Sequence, residues 1–297
     1  MKYQVVHKTA YSYSEPASLS QNELFLRPRN TANQKLLNNR ITITPRPQYL
    51  NDRTDYFGNS SRIFMVQQPH TELVMTSISN VEVFPAVTPD PETTPPWEVA
   101  AGSLLTNSTM DNLDASQFVF PSPLVTVNST AHDYGSQSFE PGRPVLSAAI
   151  DLMNRIFRDF TYDKSATTVD TPVDQVFKKR KGVCQDFAHL CISCLRARGL
   201  AARYVSGYLR TLPPPGKPKL VGADASRAWV ALFVPNSGWV DLDPTNNVIP
   251  GENHITVAWG RDYGDVTPVK GVVMGGGVHN LSVTVDVSPD TANKKKY

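Results

Sequence analysis

The sequence predicts an α+β protein, a β-rich first part followed by a second part in which helices pack on an antiparallel sheet. Three observations predict it. The first 85 residues fall into short runs rich in β-branched and aromatic residues, broken by turn residues. Amphipathic helical spacing begins only after Pro144. Beyond Gly199 the strand-like runs return. At 297 residues the chain is long enough for two modest domains, and the change of character divides it into residues 1–135 and 136–297.

In chain order, "YQVVHKTAYSYS", "RITITPRP", "RIFMVQQP" and "NVEVFPAV" read as strands of a sandwich-like unit, with "DYFGNSS" (55–61) as a turn. "TPDPETTPPW" (88–97) carries four prolines and reads as irregular. From there to about 140 the chain is Ser/Thr/Asn-rich with weak periodicity, a connecting region. The segment 144–160 places Leu146, Ile150, Met153, Phe157 and Phe160 on one helical face. In 171–182, Thr171 is the expected N-cap, Pro172 the first helical residue, and a basic last turn leads to a stop at Gly182. A third helix runs from Cys184 to Gly199. Then "AARYVSGYL" and "RAWVALFV" read as strands, "PNSG" as a turn and "WVDLD" as a strand, with further β structure in "HITVAWGRDYGDV" and "LSVTVDV".

Composition narrows the function. A net charge of +2 gives no footprint for nucleic acid, and the run Lys294–Lys296 reads as a solvated tail. The N-terminus lacks the apolar stretch of a signal peptide and no segment is long enough to span a membrane, so the expectation is a cytoplasmic, soluble protein. The three cysteines lie within eleven residues on one helix, which describes reduced thiols rather than a disulfide framework. No nucleotide-binding glycine pattern occurs, and no cofactor or metal is expected.

Cys184 opens a helix. Free amides and partial positive charge there favour thiolate over thiol, and the same amides can hold the oxyanion formed when a thiolate attacks a carbonyl. The alternative is a small buried hydrophobe. Cys191 and Cys194 form a CxxC inside the helix among Leu190, Ile192 and Leu195, where core packing is the expected role.

The motifs "GVCQDFAHL", "LRARGLAARYVSGYL", "GADASRAWV", "GWVDLDPTN" and "HITVAWGRDYGDV" together resemble the bacterial transglutaminase-like family, whose members often carry the description cysteine protease. "HKTAYSYSEPASLSQNELFLRPR" and "DYFGN" resemble the β-rich region preceding that core. The resemblance implies a papain-like core in which a cysteine attacks an amide carbonyl of glutamine or peptide, with water or an amine taking the acyl group. It implies Cys184 as nucleophile and Asp243 as orienting acid. Tyr162, in "FTYDK", and Gln185 are candidate oxyanion or supporting groups. A peptide or protein is the implied ligand.

One residue departs from the pattern: the histidine position holds Arg227. Positive charge beside Cys184 lowers a thiol pKa. A guanidinium does not release a proton near neutrality, so it cannot protonate the leaving amine. Loss of the general base in triad enzymes costs ~10⁴–10⁶ in turnover. Alternation puts Arg227, Trp229, Ala231 and Phe233 on one strand face and Ala228, Val230, Leu232 and Val234 on a core face. With a three-residue apex at Asn236–Gly238, Asp243 shares the face of Arg227 but falls opposite Ala231; direct opposition of the two needs a wider loop or a bulge, and an Arg227–Asp243 ion pair is one expectation. Among other histidines, His189 lies about 140° round the helix from Cys184, His254 is a normal feature of the family pattern, and His279 sits in "GGGVHN". Three readings stay open: a thiol acyltransferase or peptidase with an unconventional proton donor, a degenerate peptide-binding relative, and a thiolate-based redox or thiol-binding protein.

Overall fold

The structure, a computed structural model, describes residues 1–106, 109–211 and 226–290. Residues 222–225 of "GADASRAWV" and the run 294–296 lie outside the described residues. The first part holds β1 (Lys2–Leu24), β2 (Gln34–Thr44), β3 (Tyr49–Thr54), β4 (Ser60–Val66) and β5 (His70–Val83). Next come α1 (Trp97–Thr106), α2 (Met110–Ser116), α3 (Ser129–Ser136), α4 (Val145–Asp159), β6 (Thr161–Tyr162), α5 (Val173–Lys179), β7 (Lys181–Gly182) and α6 (Cys184–Ala197). The chain closes with β8 (Ala202–Leu209), β9 (Ser226–Val234), β10 (Gly238–Leu242), β11 (His254–Gly260), β12 (Val269–Gly275) and β13 (His279–Pro289).

The first sheet runs β2-β5-β1-β4-β3, with β12 and β13 also on β1. The early residues of β1 lie between β5 and β13, and its last residues between β4 and β12, with a register break between Ser12 and Ala17. This continuous sheet encloses a small core of Leu24, Phe64, Val66, Leu73 and Met75. The division at residue 135 assigns β12 and β13 to the second part, whereas both pair with the first strand. Alternation in "LSVTVDV" marks a strand but says nothing of its partner, which is chosen by long-range pairing.

The second sheet, β10-β9-β8-β11, is antiparallel throughout. Ala228, Val230, Leu232 and Val234 join Leu190, Cys191, Cys194 and Leu195 of α6 and Leu146, Leu152 and Ile156 of α4 in one core. That core continues through Tyr3, Val5, Val81 and Val83 of the first sheet. Burial of each large aliphatic side chain contributes ~1.5–3 kcal/mol, so the two sheets are held by a shared interior. Cys191 and Cys194 are fully buried free thiols, packed as the sequence suggests.

Three local expectations are corrected. The connecting region contains α1, α2 and α3; Thr109 Oγ1 caps α2 by accepting from the Asn112 amide (3.1 Å), and Asn128 Oδ1 caps α3 from the Ala131 amide (3.0 Å). Helices this short leave little periodicity to read. The buried stripe of α4 is Leu146, Ala149, Leu152, Met153 and Ile156, while Phe157 is exposed; small Ala149 lets the neighbouring elements approach, and a search for large residues passes over it. Helix α5 has Pro172 as its N-cap, because Thr171 Oγ1 instead accepts from the Thr168 amide (2.8 Å). It ends at Arg180, in the left-handed region with φ 54°, rather than at Gly182.

Candidate active site

Cys184 is placed by the turn that starts α6. Asp186 Oδ2 accepts from the Val183 amide (2.7 Å) and from Thr167 Oγ1 (2.6 Å), which fixes the first turn. Gly182 is required there, since a Cβ would press on the Asp186 carboxylate. The backbone amides of Gln185 and Ala228 face the Cys184 sulfur, and Arg227 is close enough for its charge to act on it. Burial nevertheless dominates and pushes the thiol above its ordinary range, with Asp243 adding to the rise against the pull of Arg227 and the two amides. The residue as a whole keeps partial solvent access. Desolvation of the sulfur is the larger effect, so the neutral thiol is the resting form.

Arg227 pairs with Gly207 of β8. Its Nη1 donates to Tyr162 Oη (3.3 Å), and its Nε is enclosed without a partner among the described residues. Parallel pairing of Tyr162 with Gly182 brings that tyrosine beside the start of α6. Among the described residues Arg227 makes no ion pair with Asp243, contrary to the sequence expectation. Asp243 instead has four donors of its own, the Thr245 amide (2.9 Å), the Asn246 amide (3.1 Å), Asn246 Nδ2 (2.7 Å) and His254 Nε2 (3.1 Å). Four donors fill the acceptor sites of a carboxylate. The β9–β10 apex is Pro235–Ser237, one residue earlier than expected, so Asp241 faces Ala231 and Asp243 lies level with Trp229. Left-handed Asn236 (φ 66°) and Gly238 (φ 80°) make that turn possible.

Gln185 contributes through its backbone. Its side-chain Nε2 donates to the Val169 carbonyl (2.9 Å), away from the sulfur. His254 is the residue whose role the sequence left open. A carboxylate only accepts, so the His254 Nε2 is the donor in this bond. Its Nδ1 is enclosed with no partner among the described residues, and its ring meets Trp229 edge-on at 5.3 Å. His189 accepts from the Tyr263 amide (3.1 Å) and is pushed down to about 4 by burial, a packed neutral residue. His279 lies on β13 beside Tyr11 and Tyr13 of the first sheet. The sequence also missed Tyr204, a fully buried phenol close to Cys184; its place in "ARYVSGYL", an ordinary strand run, gave no sign of this.

A thiol at a helix N-terminus, backed by an antiparallel sheet whose strands supply a basic residue and an acid, defines the papain-like class of cysteine-nucleophile folds. Family profiles match residues 3–82 to the bacterial transglutaminase-like N-terminal region and residues 134–244 to the transglutaminase-like superfamily. The chain is 41% identical to "Uncharacterized protein Rv2569c" of Mycobacterium tuberculosis, over 97% of this chain and 93% of that protein. It is 33% identical to a protein-glutamine gamma-glutamyltransferase of Pseudomonas aeruginosa over 38% of this chain and 17% of that one. The crystal structure of a "Putative Cysteine Protease from Cytophaga hutchinsonii" shares the fold, with a TM-score of 0.77 at 20% identity, over 97% of this chain and 90% of that chain. The chain belongs to the transglutaminase-like superfamily, with the bacterial N-terminal region preceding its core.

Proposed function

We propose that this protein binds peptide or protein amides at Cys184 in the acyl-transfer geometry of its superfamily and turns them over weakly or not at all. One observation carries the reading: the group acting on the Cys184 sulfur from β9 is a guanidinium, Arg227, which keeps its proton. His254 does not take over the missing duty, because its Nε2 is engaged by Asp243 and its Nδ1 is enclosed. Substrate attack would still find support from the amides of Gln185 and Ala228, with Arg227 drawing charge toward the sulfur. Two proton transfers lack a partner: removal of the Cys184 thiol proton before attack, and protonation of the departing amine. A thiol held neutral by burial also weighs against a thiolate-based redox role, and Cys191 and Cys194 are too deeply packed to act as resolving partners.

The test is Arg227→His, assayed on a broad panel of glutamine-containing peptides for hydrolysis and for transfer to an added amine. The expected result is a gain of at least ~100-fold in turnover that disappears on adding Cys184→Ala. Peptide binding by the single variant Cys184→Ala should match the unsubstituted protein. Cys184-dependent turnover by the unsubstituted protein as fast as by Arg227→His would overturn the reading, as would no gain in the variant.

A further inference from the structure

The second sheet has a face turned away from α6, and a cavity of about 460 Å³ opens there, between the sheet and residues 85–88 that lead out of the first sheet. Arg203 and Val205 of β8, Trp239 and Asp241 of β10, Trp259 of β11 and Ile249 line it. Arg203 is only 8% exposed. Its guanidinium is clamped between two indoles, 4.1 Å from the Trp239 ring centre and 3.7 Å from that of Trp259. Among the described residues it makes no hydrogen bond and no ion pair, and its Nε is fully enclosed. Asp241 attracts it through space only; Asp241 Oδ2 is occupied by Trp229 Nε1 at 2.9 Å.

Part of this arrangement is structural. Arg29 stacks on the Trp259 ring at 3.3 Å, and the Asn59 side chain bonds the Trp259 backbone on both sides, so the indole joins the two sheets. Joining the sheets accounts for the rings but not for a cation at a cavity wall that has no acceptor among the described residues. Of its three nitrogens only Nε is fully enclosed, so Nη1 and Nη2 are the donors that an acceptor entering the cavity can meet.

We propose that the cavity is a binding site for a carboxylate on an apolar body, an N-acyl amino acid or the C-terminal residue of a peptide. The carboxylate accepts from Arg203, and the ligand's amide N–H donates to Asp241. The aliphatic part lies against Val205 and Ile249. A monoanion fits better than a dianion such as phosphate, because Arg203 and the nearby Arg29 face a second carboxyl, Asp241, in the same wall, and that group would repel added negative charge. The site lies on the opposite face of the sheet from the Cys184 helix and does not depend on the proposed chemistry there.

The full chain is titrated with N-acetyl-leucine, N-acetyl-leucinamide and a pentapeptide ending in leucine, read by tryptophan fluorescence and calorimetry. Saturable binding of N-acetyl-leucine or of the pentapeptide is expected, with the amide at least about tenfold weaker. Binding of the peptide alone identifies a protein terminus as the ligand; binding of N-acetyl-leucine identifies a small acid as sufficient. Arg203→Met abolishes binding, Ile249→Trp obstructs the cavity mouth while leaving the guanidinium in place, and Cys184→Ala changes nothing. Equal binding of acid and amide, unchanged binding in Arg203→Met or Ile249→Trp, or no saturation by either acid up to about 10 mM would overturn the proposal.

Discussion

Two arginines on neighbouring strands of one sheet have opposite surroundings. Arg227 stands at the start of β9, half-buried, with Tyr162 as hydrogen-bond partner and the Cys184 sulfur within reach of its charge. Arg203 stands near the start of β8, paired in register with Ala231 at the far end of the same ladder, enclosed by two indoles and given no acceptor. On the proposed reading, the first stands where a proton carrier would and leaves the thiol without an acid–base partner. The second has no acceptor among the described residues, and on the proposed reading a bound carboxylate supplies one. The residue type is the same in both places; burial and the neighbouring groups decide whether the cation modifies chemistry or recognises an anion.

The largest expected effect tests whether acid disturbs either arginine. Both cations persist as pH falls, so acid sensitivity must come from elsewhere. His7 and His189 are buried and pushed down to about 4. In the unfolded chain they titrate near ~6.5, so below that pH the unfolded state binds more protons and stability falls until pH ~4. Together they remove several kcal/mol by pH ~4, a large share of a domain's ordinary stability. Urea midpoints between pH 7.5 and 4 should show this loss, and His7→Gln should remove about half of it. A stability flat across that range would contradict the burial of both imidazoles.

A smaller effect separates the two arginines physically. Gly207 pairs with Arg227, and a Cβ at Gly207 would overlap the Trp229 ring and the Ile255 carbonyl. Gly207→Ala should cost about 2–3 kcal/mol in denaturant unfolding; a cost near zero would mean the strands separate easily there and that the contrast is not enforced by packing. The smallest effect concerns Gln185. Because its side chain is turned to Val169, Gln185→Ala should change Cys184 alkylation by less than about twofold, whereas a large change would return its side chain to the sulfur.

Much of this was legible in the residues. The two-residue alternation of "RAWVALFV" identified the core face of β9, and the position of Cys184 after Gly182 marked the helix start correctly. The motif resemblance pointed to Asp243 and Arg227, and the structure places the Arg227 charge within reach of the Cys184 sulfur. What was not legible depended on distance along the chain. Strand β1 chooses β12 and β13 from the other end of the sequence, a choice no local pattern encodes. His254 meets Asp243 because the loop after β10 folds back through the Asp243–Val248 bridge, and that bend depends on backbone geometry rather than composition. Arg203 looked like an ordinary polar residue alternating in a strand; only the two tryptophans brought from β10 and β11 make it unusual.

The most direct measurement is the pH dependence of Cys184 alkylation, with intact mass to assign the modified thiol. Burial outweighing Arg227 predicts a slow reaction whose rate keeps climbing through the ordinary cysteine range, about 8.5, with no plateau near neutrality. A rate that is already fast and flat below pH ~7 would contradict it. That result would mean Arg227 holds a resting thiolate, and the site would retain more of its chemistry than a guanidinium without a proton to give can explain.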